Sequence, residues 1–337
     1  MILSQQNPSI ENNSGSNSFC EYSGNRDYFA VYDIGSNTIK FLTARKKDEK
    51  TIDFLLHLSY TTRLADKLFF TGELSQDAIH RTLDILRHLR MRADNLKVGS
   101  RIAAATSAVR DSKNRKKFLK EAEEVLGHKI LLLSGEDEAK TIYRGVSSDP
   151  SLQGKDNLLT VLDVGGGSSE WICGKDKKPE RFLSLPLGAI RIKDRFITEY
   201  PVGTKTVAHM LLCLEKQLKE QLKDFKNYSQ HIIGTGGTVA AMANMFQESP
   251  KEDFLKTHLY AMGTDAIQKK IEELSRYDLT KLATVPGLPQ SRIEIIIPGM
   301  AVVFSTLSVL GANSITSSIR GLRYGLLDLL MSESSKL

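Results

Sequence analysis

The residues best suited to chemistry in this sequence sit in two short turns, Asp33-Ile34-Gly35-Ser36-Asn37-Thr38 and Asp163-Val164-Gly165-Gly166-Gly167-Ser168-Ser169-Glu170. Each follows an apolar strand and begins on an aspartate. A phosphate has to be met by several donors at once, and a turn without Cβ atoms lets successive backbone N–H groups converge on the anion. Gly165, Gly166 and Gly167 can supply such amides, Ser168 and Ser169 add hydroxyls, and Ser36, Asn37 and Thr38 give a comparable set in the first half. One glycine turn alone is more simply a tight connection. Two of them, each behind an aspartate, favour an anion site. A third turn, Gly234-Thr235-Gly236-Gly237-Thr238, brings Gly236 into the phosphate-binding candidates.

Asp163 and Glu170 bracket the second turn, where carboxylates can hold Mg²⁺ or another divalent cation, since Mg²⁺ uses one or two carboxylates plus substrate and water. Asp33 occupies the corresponding place in the first turn and is grouped with them as a metal candidate. The plainer alternatives are an Asx turn for Asp163 and a solvated strand-end charge for Glu170. Glu138, in the first turn of a helix, can act as a base if it lines a cleft; by composition alone it reads as an exposed helix charge. Arg110 directly follows a buried strand, where its fork could bind two phosphate oxygens, or equally form a surface salt bridge. Two basic groups, Arg110/Lys113/Arg115/Lys116/Lys117 and Arg191/Lys193/Arg195, could line a polyanion groove, although such runs are more often solvated helix faces.

The elements that must carry these residues read as alternating strands and helices. Strands are expected at 29–32, 38–44, 101–106 and 129–133, and helices at 75–92 and 111–126, the latter ended by Gly127. Ser134 can N-cap a helix with Asp137 three residues on. Ser147 to Asp156 is the best domain junction. Beyond it, 158–162 and 170–173 repeat the strand-turn-strand order, and 232–233 lead through the third glycine turn into a helix at 239–246. This is an α/β plan, and its internal echo points to two related halves with both turns opening into a cleft between them. Ile295 to Ile319 is uncharged and long enough to span a bilayer, but Pro298, Gly299, Gly311, Asn313 and its Ser/Thr content favour a buried strand-turn-helix segment.

At 337 residues with 41% apolar and 26% charged side chains, the chain has core enough for two globular domains. A formal charge of +6 tolerates anionic partners but does not argue for nucleic acid. The cysteines Cys20, Cys173 and Cys213 show no CxxC or zinc-finger spacing, which fits a reducing, cytoplasmic setting. Residues 1–27 are rich in Asn, Ser and Gly, lack an apolar signal core and read as a flexible leader. No membrane partner is expected.

Six pieces in order, Tyr32 to Thr38, Ala105 to Arg110, Ser134 to Ala139, Asp163 to Glu170, Gly234 to Thr238 and Pro298-Gly299, resemble the exopolyphosphatase / guanosine pentaphosphate phosphohydrolase (Ppx/GppA) family. The resemblance runs from about Tyr28 to Leu330. It implies an α/β fold of two related actin/Hsp70/sugar-kinase-like (ribonuclease H-like) domains, here 28–146 and 147–337, with an interdomain cleft. It implies Glu138 as catalytic base, Asp163 and Glu170 as metal-associated carboxylates, and Arg110, Asn37 and the second glycine turn as phosphate contacts. The expected activity is removal of terminal orthophosphate from inorganic polyphosphate, from guanosine pentaphosphate (pppGpp), or from both. An actin- or sugar-kinase-like ATPase and a non-catalytic (p)ppGpp sensor are the alternatives, and a homodimer is compatible with the sequence. The family's C-terminal Ser-Asp-x-Gly-Leu-Arg-Glu-Gly pattern appears as Ser318 to Gly325 without either acid. With the sequence ending at Leu337, the extra helical domain of longer members is expected to be absent.

Overall fold

The computed structural model describes residues 21–22, 25–48, 51–152, 158–228, 232–249 and 255–334. The chain divides into two compact units, one comprising residues 1–141 and 326–337 and the other residues 142–325. The division falls inside the helix Gly135–Ser147, ahead of the junction expected at 147–156, and the last residues group with the first unit rather than the second. The terminal helix Leu322–Ser334 accounts for this: its last turn brings Ser334 Oγ to 3.5 Å from Ser100 Oγ in the first unit. Of the proposed leader, residues 1–20 and 23–24 lie outside the described residues. The remainder is strand: Glu21–Tyr22 (β1) pairs with Arg101 and Ser100, and β2 begins at Asn25.

In the first unit β2 (Asn25–Ile34), β3 (Thr38–Lys46) and β4 (Ile52–Thr61) form an antiparallel meander. β5 (Val98–Ala105) and β6 (Ile130–Leu132) then add in parallel beside β2. All eight residues of β5 are buried, so the strand reads as a continuous run with a small-residue end, Ala103-Ala104-Ala105, rather than an alternation. The helix Gln76–Asn95 buries Ile79, Leu83, Leu86 and Leu89 at helical spacing and is N-capped by Ser75, whose hydroxyl accepts from the Ala78 amide at 3.3 Å.

The second unit repeats the plan. β7 (Leu158–Val164), β8 (Ser169–Lys175) and β9 (Lys178–Leu185) form the meander. β10 (Ile232–Thr235) lies parallel to β7, β11 (Ala261–Gly263) is an antiparallel edge, and β12 (Ser314–Ser317) is parallel to β10. The echo in the sequence is thus an echo of topology: three antiparallel strands with a turn after the first, then two parallel additions on the other side of that first strand.

Two expected elements differ. The helix foreseen at 111–126 is two, Ser107–Asp111 and Arg115–Leu126. The break follows from Asn114, whose side chain bonds both the amide and the carbonyl of Leu74 and pins the chain between them. The segment 295–319 has the reverse order from that expected: helix Ile296–Leu310, a left-handed Gly311 at φ +69°, then β12. Pro298 is tolerated because it falls in the first helical turn, whose amides have no intrahelical partner. The helix is buried nearly all round, including Ile297, Met300, Val303 and Leu307, which erases any amphipathic period. Among the described residues no helix is long and apolar enough to cross a membrane.

Cys173, on β8, is fully buried, and burial pushes its thiol from 9.0 up to about 12. At a fixed pH its thiolate fraction therefore falls by about 10³, and a thiol reagent should modify Cys213 while sparing Cys173 in the native protein. Peptide mass mapping after brief alkylation checks this; rapid labelling at Cys173 would contradict the packing.

Candidate active site

The two glycine turns share one local design. Gly35 N donates to Thr38 O and Gly165 N donates to Ser168 O, both at 3.1 Å. In the strands below, Asp33 lies directly opposite Lys40, and Asp163 directly opposite Glu170. The matching rows extend outward: Ala104, Asp33, Lys40 and Ser59 in the first unit, and Thr235, Asp163, Glu170 and Ser184 in the second. Directly paired residues project on the same face of a sheet. Each row therefore sets an aspartate beside one partner, a cation in the first unit and a second carboxylate in the other. Of the three expected metal carboxylates, Asp163 and Glu170 are brought together, whereas Asp33 is given a lysine neighbour.

The second turn is fixed from behind. Gly165 O accepts from Ala189 N at 2.9 Å, Gly166 O from Ile190 N at 2.8 Å, and Gly167 O from Arg191 Nε at 2.9 Å. In a planar trans peptide the N–H points opposite to the C=O. With three successive carbonyls turned toward the helix Ala189–Phe196, the amides of Gly166, Gly167 and Ser168 are turned away from it, all on one side. Arg191, foreseen only as part of a basic group, thus helps shape the loop. Of its companions, Lys193 is 3.4 Å from Asp194, and the Arg195 guanidinium lies 4.8 Å from the centre of the Phe196 ring. Ser169 Oγ donates to Leu187 O at 2.9 Å.

Gly188 packs so closely beneath the turn that a Cβ there would lie 2.4 Å from the Gly166 carbonyl and the Gly167 amide. Gly188→Ala should displace the loop and lower stability by about 1–3 kcal/mol. A thermal melt reads the effect; an unchanged midpoint would show that the loop yields freely.

Gly236 has φ +88°, and a Cβ on it would lie 2.3 Å from Asp163 Oδ1. The glycine is required twice, by its backbone and by the space it leaves for that carboxylate. Arg292, which sequence reasoning passed over, lies against Gly237, where a Cβ would strike its guanidinium at 1.6 Å. The altered C-terminal segment is tied to the same corner, since Thr235 Oγ1 donates to Arg320 O at 3.0 Å. Arg320 itself bonds Ser148 O at 3.1 Å and stands 3.6 Å from Asp149, with its guanidinium over the Tyr324 ring.

In the first unit Ser36, Asn37 and Thr38 are buried in the turn. The Asn37 carbonyl accepts from the amides of Thr62 and Arg63, both at 3.0 Å. Ser36 Oγ and Ser107 Oγ share a hydrogen bond at 3.0 Å, which draws Ser107, at the head of the helix that carries Arg110, into the site.

Glu138 is held by a capped helix end. Ser134 Oγ accepts from Asp137 N at 3.1 Å and donates to Asp137 Oδ2 at 2.7 Å, and Ala139 and Ile142 anchor the inner face. The carboxylate is only 7% exposed, not the surface charge that composition suggests. Arg110 Nη1 donates to Glu138 Oε2 and to Leu133 O, both at 2.9 Å. One guanidinium thus fixes the glutamate's direction and compensates its buried charge.

Comparison with known proteins identifies the family. The Ppx/GppA phosphatase family profile matches residues 42–334. A bifunctional 3-dehydroquinate synthase/phosphatase from Fusobacterium nucleatum is 29% identical over 297 residues, covering 86% of this chain and 44% of its own length. The chain therefore spans less than half of that curated relative. The Ppx/GppA phosphatase of Aquifex aeolicus superposes with a TM-score of 0.72 at 26% identity, over 90% of this chain and 99% of the other. An exopolyphosphatase from Cytophaga hutchinsonii, at 22% identity, shares the fold with a TM-score of 0.80 over 91% of this chain and 98% of its own.

Proposed function

The chain belongs to the Ppx/GppA phosphatase family, and from that premise we propose that it hydrolyses the terminal phosphoanhydride of inorganic polyphosphate, of pppGpp, or of both, releasing orthophosphate. The observation that carries this reading is the buried, directed carboxylate of Glu138, tied to Arg110 at 2.9 Å. A base has to present a lone pair in a set direction, and this one is fixed by a cap, a buried helix face and a guanidinium.

In the second unit the amides of Gly166, Gly167 and Ser168 and the Ser168 hydroxyl can meet a phosphate, and in the first unit the Ser36 and Thr38 hydroxyls and the Asn37 side chain form a comparable set; Ser169 drops out, because its one hydroxyl proton goes to Leu187 O. Arg110 steadies Glu138, and its guanidinium, which also stands 3.6 Å from Asp111, adds positive charge next to that base. Glu138 accepts a proton from water as the water attacks the terminal phosphorus in line with the departing phosphate oxygen; that P–O bond breaks, and no covalent enzyme intermediate is needed.

The residues present suit Mg²⁺. Asp163 and Glu170 are in-register neighbours, Gly236 leaves room beside Asp163 Oδ1, and all these donors are hard oxygens. Among the described residues no group of three or more His, Cys, Asp or Glu is placed to hold a metal, and Mg²⁺ commonly uses only one or two carboxylates, with substrate and water completing its shell. When bound there, the cation would neutralise charge on phosphoryl oxygens. Asp33, the third expected metal carboxylate, has Lys40 opposite it where Asp163 has Glu170.

Reaction in ¹⁸O-labelled water with Mg²⁺ tests the proposal. One labelled oxygen should enter each orthophosphate released. Phosphoryl transfer to an acceptor without labelled orthophosphate would make the protein a kinase, and saturable binding of (p)ppGpp without turnover would make it a sensor.

A further inference from the structure

Resting on that reading of Asp163 and Glu170, we propose that Ser184 is a positioning residue for Glu170 and sets the affinity of the second unit for a divalent cation. Glu170 is 1% exposed, and Ser184 stands directly opposite it on β9. The Ser184 hydroxyl donates to Glu170 Oε1 at 2.8 Å. An ionised carboxylate only accepts, so the direction of the bond is settled.

A glutamate side chain has three torsions, and a carboxylate acting as a hard ligand must present a lone pair in one direction. A hydroxyl held on the next strand fixes the last of those torsions, as outer partners commonly do for metal-binding side chains. The row geometry makes this specific. Asp163, Glu170 and Ser184 are consecutive cross-strand neighbours on three antiparallel strands, so backbone pairing alone places the donor beside Glu170 on the side away from Asp163. The first unit has a serine at the same place, Ser59, but opposite Lys40, where a hydroxyl can only accept from an ammonium. The same residue type thus stands opposite a cation in the first row and opposite a carboxylate in the second, where its hydroxyl bond to Glu170 is observed.

The test compares the full chain with its Ser184→Ala and Ser184→Thr variants. Mn²⁺ binding without substrate is followed by the electron paramagnetic resonance signal of the free ion, and orthophosphate release is measured across a Mg²⁺ titration. Ser184→Ala should bind Mn²⁺ about 10-fold or more weakly and need correspondingly more Mg²⁺ for half-maximal rate, and Ser184→Thr, which keeps the hydroxyl, should lie close to the unmodified protein. Equal Mn²⁺ affinity in the alanine variant, or a rate loss that Mg²⁺ does not influence, overturns the role of Ser184 alone. An unmodified protein that releases orthophosphate while binding neither cation overturns the metal reading beneath it.

Discussion

Glu138→Gln should lower orthophosphate release by about 10²–10⁴-fold, the range spanned by loss of a general base, while phosphate-substrate binding persists. The substitution keeps size and a hydrogen-bond acceptor for Arg110 but removes the proton-accepting charge. The side chain is 7% exposed, and the 2.9 Å contact from Arg110 Nη1 can continue onto an amide oxygen, so the fold should hold. Rates measured at saturating substrate, together with equilibrium binding, separate chemistry from recognition. A variant as active as the parent would remove Glu138 from the mechanism; a variant that no longer binds would make it a recognition residue instead.

Asp163→Asn carries the second large effect, a fall of about 10³ in rate if the cation contributes several kcal/mol to transition-state charge stabilisation. Asparagine fills the same space beside Gly236, where Asp163 Oδ1 lies 2.3 Å from the position of a missing Cβ, and so it tests charge rather than packing. Added Mg²⁺ should not restore the parental rate, because a ligand is lost rather than misdirected. This contrasts with Ser184→Ala, whose deficit should shrink as Mg²⁺ rises. Full recovery of Asp163→Asn at high Mg²⁺ would assign Asp163 a turn-capping role, the alternative its sequence position left open.

The parts of the fold that were legible in the sequence are those written in local chemistry. Asp-x-Gly after an apolar run marks both hairpins because the turn needs a residue without a Cβ and the strand end needs a polar stop. Ser134 with Asp137 marks the cap in front of Glu138 because a serine hydroxyl can both accept from and donate to a group three residues on. Family resemblance is what points to Glu138 as a base, where composition alone reads a surface charge.

The rest depends on partners distant in sequence. The helix break before Arg115 is set by Asn114 bonding Leu74, 40 residues earlier, and local periodicity cannot register it. β4 and β9 went unread because neither is a clean alternation: the exposed side of β4 carries Ile52, Phe54 and Leu55, and β9 opens with Lys178, Pro179 and Glu180. Missing β9 meant missing Ser184. The order of elements in 295–319 was inverted because all-round burial removes the period that separates helix from strand. The different charges opposite Asp33 and Asp163 were visible as Lys40 and Glu170, each seven residues on, but only strand register shows that they occupy the same place.

The most direct measurement of the central claim is orthophosphate release by the purified chain with Mg²⁺, comparing long polyphosphate, short polyphosphate, pppGpp and ATP side by side. Continuous release from at least one of polyphosphate and pppGpp, well above that from ATP, is the predicted result. Release from ATP alone, or from none of the four, would contradict it.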